Sequence, residues 1–268
     1  MAVDHYENFP VASILMPERF RYPVGLIYRF AREADDFADE GSLLPAARLA
    51  LLAQFNQQLD RIDSGQVPDI PWFSELASVI RQHQLPLQLF RDLLSAFSQD
   101  VIKTRYADYP EVLDYCRRSA NPVGRLLLVL YGTATTQHNA WSDAICSSLQ
   151  LINFWQDVAI DYRKDRIYFP QDDMERYRIT ESAIANACTN DKWREFMSFQ
   201  VNRTRQYLLS GAPLGRVLKG RLGLEMRMII AGGDRILSKI MKADYDVFHR
   251  RPVLKPYDWL LMFAKAAL

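Results

Sequence analysis

Gln150-Leu151-Ile152-Asn153-Phe154-Trp155-Gln156-Asp157-Val158-Ala159-Ile160-Asp161 reads as an apolar helix carrying one polar stripe. Gln150, Asn153, Asp157 and Asp161 follow one another at steps of three and four. At about 3.6 residues per turn, such steps stack side chains on a single face. Trp155 falls on the opposite side, where a core would take it. Two amides and two carboxylates set among so many apolar residues point to an enclosed space rather than bulk water.

The same geometry occurs earlier in the chain. Tyr28, Arg32, Asp35 and Asp39 are again three or four residues apart and share one helix face. Asp36 and Glu40 lie about 100° round from them. Taken alone, an acidic run such as Asp35 to Glu40 is more often a solvated helix end. The second stripe favours a shared site.

Helical periodicity extends outward from both stretches. Helices are expected over Pro17–Glu40, bent near Pro23 and Gly25, and over Pro45–Asp63, Trp72–Gln84, Pro86–Lys103, Pro110–Ser119, Pro122–Gln137 and Asp143–Tyr162. Arg166–Pro170 reads as extended. Further helices are expected over Glu181–Ala187, Lys192–Ser210, Pro213–Arg221, Leu222–Lys242 and from Pro256 onward. No stretch alternates with period two, so no real sheet is expected. No Gly/Ser-rich linker divides the chain, which therefore reads as a single all-α domain over residues 1–268.

With 268 residues the chain can bury a core without staples. A net charge of +1 argues against a dedicated nucleic-acid binder. Cys116, Cys146 and Cys188 are odd in number and far apart, which speaks against a disulfide framework or zinc site and for a reducing cytoplasm. No apolar run approaches the roughly 20 residues of a membrane span. Trp259-Leu260-Leu261-Met262-Phe263, flanked by Lys255 and Lys265, either packs on the body or lies at a membrane interface.

Magnesium is usually held by one or two carboxylates, with water and phosphate oxygens completing its shell. Two aspartate pairs facing each other would form a carboxylate rim on which a metal-bound diphosphate could leave. Arg32, Arg163, Lys164 and Arg166 lie near enough in sequence to clamp that diphosphate.

These residues resemble the squalene/phytoene synthase family. The resemblance rests on Tyr28-x3-Arg32-x2-Asp35-Asp36-x2-Asp39, on Gln150-Leu151-Ile152-Asn153-x3-Asp157-x3-Asp161, and on Asp165-Arg166-Ile167-Tyr168-Phe169-Pro170. It continues through Asn8-Phe9, Leu15-Met16-Pro17, Tyr115-Cys116, Val123-Gly124, Tyr245 and Arg250-Arg251, nearly the whole chain. The resemblance implies the isoprenoid synthase fold, a helical bundle around a central cavity, with Mg2+ and a prenyl diphosphate. It implies that Asp35, Asp39, Asp157 and Asp161 bind the metal, and that Arg32, Gln150, Asn153 and Arg166 line the diphosphate site. Tyr245 would close on that site, Tyr28 and Tyr115 would face the reacting carbons, and Phe9 would line the cavity.

Two departures from the carbon-joining members stand out. Gln156 takes the place of an arginine, and Ser119-Ala120-Asn121-Pro122-Val123-Gly124 takes the place of Val-Ala-Gly-x-Val-Gly. Losing a cation beside the metal weakens the case for holding two diphosphates, and Asn121 could position a water. The pattern looks like the hydroxysqualene synthase branch of bacterial hopanoid biosynthesis. That branch ionises presqualene diphosphate, handed over by the synthase that makes it, and quenches the cation with water. The resemblance also admits head-to-head joining of farnesyl diphosphate, or a non-catalytic scaffold. Peripheral contact with the inner membrane would suit a lipid product.

Overall fold

The computed structural model describes residues 16–267. Fourteen helices occur among them: α1 Glu18–Asp39, α2 Pro45–Asp63, α3 Pro71–His83, α4 Leu87–Asp100, α5 Tyr109–Ser119, α6 Asn121–Leu130, α7 Thr136–Gln156, α8 Val158–Arg163, α9 Gln171–Arg176, α10 Glu181–Ala185, α11 Asp191–Ser210, α12 Leu214–Val217, α13 Gly220–Lys242 and α14 Pro256–Ala267. None is long and apolar enough to cross a membrane. Proline opens α2, α3, α5 and α6, where its missing N–H costs nothing. Side chains cap others: Asp108 accepts from the Glu111 N–H at 2.9 Å and Asn190 from that of Trp193 at 3.0 Å.

Several boundaries differ from those expected, each for a local reason. The α6–α7 junction lies at Tyr131–Thr135 rather than beyond Gln137. Gly132 adopts φ +67° and Thr135 then caps α7 by accepting from the His138 N–H. The expected helix Asp143–Tyr162 is broken at Asp157, whose φ of −104° and ψ of 15° leave the helical range. α1 runs unbroken past Pro23, which sits within its second turn. Gly220, at φ +62°, opens α13 two residues before the expected start. The short α9 had no sequence expectation. The absence of sheet holds among the described residues. The extended 166–170 run makes one parallel bridge, Tyr106 with Pro170, bracketed by Ile167 N–H to Thr104 O and Gln171 N–H to Tyr106 O.

Apolar burial is organised around two cores. One gathers α1 to α4, with Phe30, Phe55, Phe73 and Phe90 edge-on or tilted to one another. The other gathers α5 and α7 to α13 around Trp155, Phe169, Trp193 and Phe196. Trp155 is a core residue as expected, donating Nε1–H to Thr204 at 2.8 Å. α6 belongs to both cores, giving Leu126 and Leu130 to the first and Leu128 to the second. Its Gly124 lies so close to α7 that a β-carbon would stand 2.3 Å from Ser142 Oγ. The first aspartate pair rides on the first core and the second pair on the other.

Candidate active site

The boundary between the cores is where the charged residues meet. From α1, Asp39 reaches across to the turn after α8: Arg166 Nη1 lies 2.5 Å from its Oδ1, and Lys164 Nζ lies 3.1 Å from its Oδ2. Two helical turns back, Arg32 spans Asp36 at 2.7 Å, Glu40 at 2.8 Å and, more loosely, Asp35 at 3.6 Å. Opposite, the helix break at Asp157 turns its carboxylate toward the segment joining α13 and α14. There Arg251 donates Nε–H to Oδ1 at 2.5 Å and Nη2–H to Oδ2 at 3.1 Å, a bidentate pair.

The carboxyls divide into two kinds. At Asp39 burial works to raise the pKa, but Arg166 and Lys164 outweigh it and hold the group below its ordinary value. Asp35 and Asp161 are pushed up instead. Burial takes Asp35 to about 7, helped by the charge of Asp39 and opposed by Arg32. Burial takes Asp161 to about 8, helped by Asp157 and opposed by Arg166 and Lys164.

Among the described residues no three His, Cys, Asp or Glu side chains are gathered closely enough to hold a metal by themselves. Asp39 and Asp157 are held by cations of the chain itself. The donor set nevertheless suits a hard divalent ion. It is made of carboxylate oxygens alone, and the crowded charges of Asp35 and Asp161 would be relieved by one.

Behind the carboxylates stands an aromatic wall. Phe154 and Tyr168 stack with centroids 3.7 Å apart and planes 4° from parallel, and Tyr106 and Tyr115 pack against Tyr168. A cavity of about 10 Å3 lies between Phe154, Asp161, Arg166 and Tyr168, which is room for roughly one water. Sequence reasoning missed what anchors this wall: Asp100, the last residue of α4. It accepts the Tyr115 hydroxyl at 2.6 Å and the Tyr168 hydroxyl at 3.4 Å, while Arg166 Nη2 donates to its carbonyl at 3.0 Å. An acid at a helix C-terminus opposes the macrodipole, and that was its only available signal.

The other expected residues are placed unevenly. Tyr28 is half-buried and near enough to Arg32 to act on its charge. On α7, Gln150 is half-buried and Asn153 exposed. Asn121 is buried and accepts the Ser147 hydroxyl at 2.8 Å, tying α6 to α7. Tyr245 sits at φ +60°; its N–H bonds Ile240 O, and its carbonyl accepts from Trp193 Nε1. Gln156 was expected beside the metal site but is buried, and its Nε2–H donates to Pro252 O at 2.6 Å. The cation missing at position 156 is supplied to Asp157 by Arg251. Phe9 lies outside the described residues.

The squalene/phytoene synthase family model matches residues 2–258. A hydroxysqualene synthase of Rhodopseudomonas palustris is 35% identical over 257 residues, spanning 95% of this chain and 86% of its own. One from Sinorhizobium fredii is 31% identical, spanning 97% and 87%. A 15-cis-phytoene synthase of Synechococcus elongatus is 28% identical, spanning 98% and 88%. Among solved structures, squalene synthase HpnC from Alicyclobacillus acidocaldarius superposes with a TM-score of 0.83 at 33% identity, covering 90% of each chain. A ligand-bound dehydrosqualene synthase shares the fold, with a TM-score of 0.84 at 20% identity over 94% of this chain and 88% of its own. By sequence and by helical frame alike, the chain belongs to the squalene/phytoene synthase family and has its all-α isoprenoid synthase fold.

Proposed function

We propose that this chain, acting as one domain over residues 1–268, is a magnesium-dependent hydroxysqualene synthase. It ionises presqualene diphosphate and quenches the rearranged cation with water, giving hydroxysqualene and diphosphate. The observation that carries this reading is the meeting of the two aspartate pairs, with Lys164 and Arg166, across the boundary between the cores. The likeness to hydroxysqualene synthases over most of the chain supports the substrate.

In this reading Asp35, Asp39, Asp157 and Asp161 hold Mg2+. Bound there, the metal supplies positive charge against the diphosphate as its C–O bond breaks. Arg32, Lys164 and Arg166, with Gln150 and Asn153, bind the diphosphate oxygens. Tyr245 closes on that end. Tyr28 and Tyr115 face the reacting carbons, and the faces of Phe154 and Tyr168 stabilise positive charge. Asn121 orders the α6–α7 wall through Ser147.

A lipid surface is the natural source and sink of such molecules. α14 turns Tyr257, Leu260, Leu261 and Phe263 outward, with Leu260 75% exposed. The exposed Lys255 directly precedes this helix, which suits an anionic bilayer.

One observation favours a second reading, head-to-head joining of farnesyl diphosphate: Arg251 keeps a guanidinium on Asp157. Purified protein with Mg2+ separates the two. Presqualene diphosphate, offered in phosphatidylglycerol vesicles, is expected to give hydroxysqualene by mass spectrometry, with the protein pelleting with the vesicles. Turnover of farnesyl diphosphate alone would refute the first reading.

A further inference from the structure

Hydration of a carbocation has a proton to dispose of, and none of the residues discussed under function takes it. As the C–O bond forms, the attacking water becomes an oxonium and must lose H+. The buried carboxylate of Asp100 is 6% exposed and stands against the packed rings of Tyr106, Tyr115 and Tyr168. Its position is doubly unfavourable, since it is taken out of water and placed at the C-terminal end of α4.

Its contacts suggest what it does. The Tyr115 hydroxyl donates to Asp100 Oδ2 at 2.6 Å, so the phenol's single proton is committed to the carboxylate and its oxygen keeps lone pairs able to accept. The Tyr168 hydroxyl donates to the other oxygen at a longer 3.4 Å. Arg166 bridges the Asp100 carbonyl and Asp39, which fixes this pair relative to the diphosphate end.

We infer that Asp100 is a positioning residue that makes Tyr115 an acceptor for the quenching water and receives the proton through it. The step balances. The water oxygen bonds to the cationic carbon, an O–H bond of the oxonium breaks and its proton passes to Tyr115 Oη. The proton already on Oη passes to Asp100 Oδ2, leaving a neutral alcohol and a neutral carboxylic acid. Burial lifts the Asp100 pKa to about 7, against the hydrogen bond from Tyr115 and the charge of Arg166, so the carboxyl is a willing acceptor. This inference rests on the hydration reading above.

The test reads products per diphosphate released, so it is independent of how fast each variant turns over. Wild type, Asp100→Asn, Tyr115→Phe and the double variant are given presqualene diphosphate and Mg2+. Alcohol is measured against hydrocarbon formed by proton loss. The alcohol-to-hydrocarbon ratio is expected to fall about a hundredfold in each single variant, the lower end of what a positioned base contributes. The double variant is expected to fall no further, since the two residues act as one unit. An unchanged ratio in either single variant, or additive losses in the double, would overturn the relay and leave the hydration reading standing. Asp100→Asn keeps an acceptor for the tyrosine hydroxyl. Should it fail to fold, the ratio in Tyr115→Phe decides. Wild type that releases no diphosphate from presqualene diphosphate would refute both readings together.

Discussion

Asp35 and Asp157 sit on the same rim in different company. Asp35 is crowded by Asp39 and only loosely approached by Arg32, so its charge costs the fold something. Asp157 is clasped by both arms of Arg251. Asp35→Asn and Asp157→Asn are each expected to lower diphosphate release by about a hundredfold or more, the scale of losing one group that stabilises leaving charge. Their thermal melts should part company. Asp35→Asn melts no lower than wild type, whereas Asp157→Asn loses about 1 kcal/mol because Arg251 keeps only an amide partner. Unfolding of Asp35→Asn would mark that carboxylate as structural. At this scale the four aspartates were legible, because helical spacing alone puts them on one face. Asp100 was not, and neither was the partner of Arg251. Each bonds a partner far away in sequence, Asp100 to Tyr168 and Arg251 to Asp157, and only the packing of whole helices brings such pairs together.

Among the elements, α14 shows how one buried acid can hold a helix. Asp258 is fully enclosed, with Arg235 at 2.7 Å, Lys239 at 2.6 Å and the Lys255 N–H at 2.7 Å. Burial would raise its pKa, but these donors together lower it to about 2. Because the folded value lies below the unfolded one, the stability it contributes is complete above about pH 4 and is lost as pH falls toward 2. That contribution is on the order of 2 kcal/mol. Hydrogen exchange is expected to show α14 losing protection over this range, while Asp258→Ala is already loosened at neutral pH. Equal protection at both ends of the range would deny Asp258 its anchoring role. Helix existence was readable nearly throughout from apolar periodicity and prolines. Boundaries failed where a single residue overrode the pattern: Gly132 and Gly220 by positive φ, and Asp157 by leaving the helical range in mid-pattern.

Over the whole molecule, the reading as all-α with no sheet holds for the described residues, and the family and its fold were legible from the two motifs. The division into two cores was not legible, because nothing in the sequence marks which apolar face meets which. That division places the site at a seam. Asp35, Asp39 and Arg32 are carried by one core, and Asp157, Asp161, Lys164 and Arg166 by the other, while α6 packs into both.

The cations seated on Asp39 and Asp157 have a practical consequence. Lys164, Arg166 and Arg251 balance the rim from within, so the chain carries its own counter-ions when no metal is present. Uptake of the proposed Mg2+ would thereby be uncoupled from folding, unlike small domains whose ligands have no other partners. Chelation should act as a reversible off-switch. EDTA is expected to abolish turnover while leaving the circular dichroism spectrum intact and shifting the melting point by no more than about 2 °C, less than 1 kcal/mol for a chain of this size. Returning Mg2+ restores activity without refolding. Loss of helical signal on chelation would show that these side chains do not substitute for the ion.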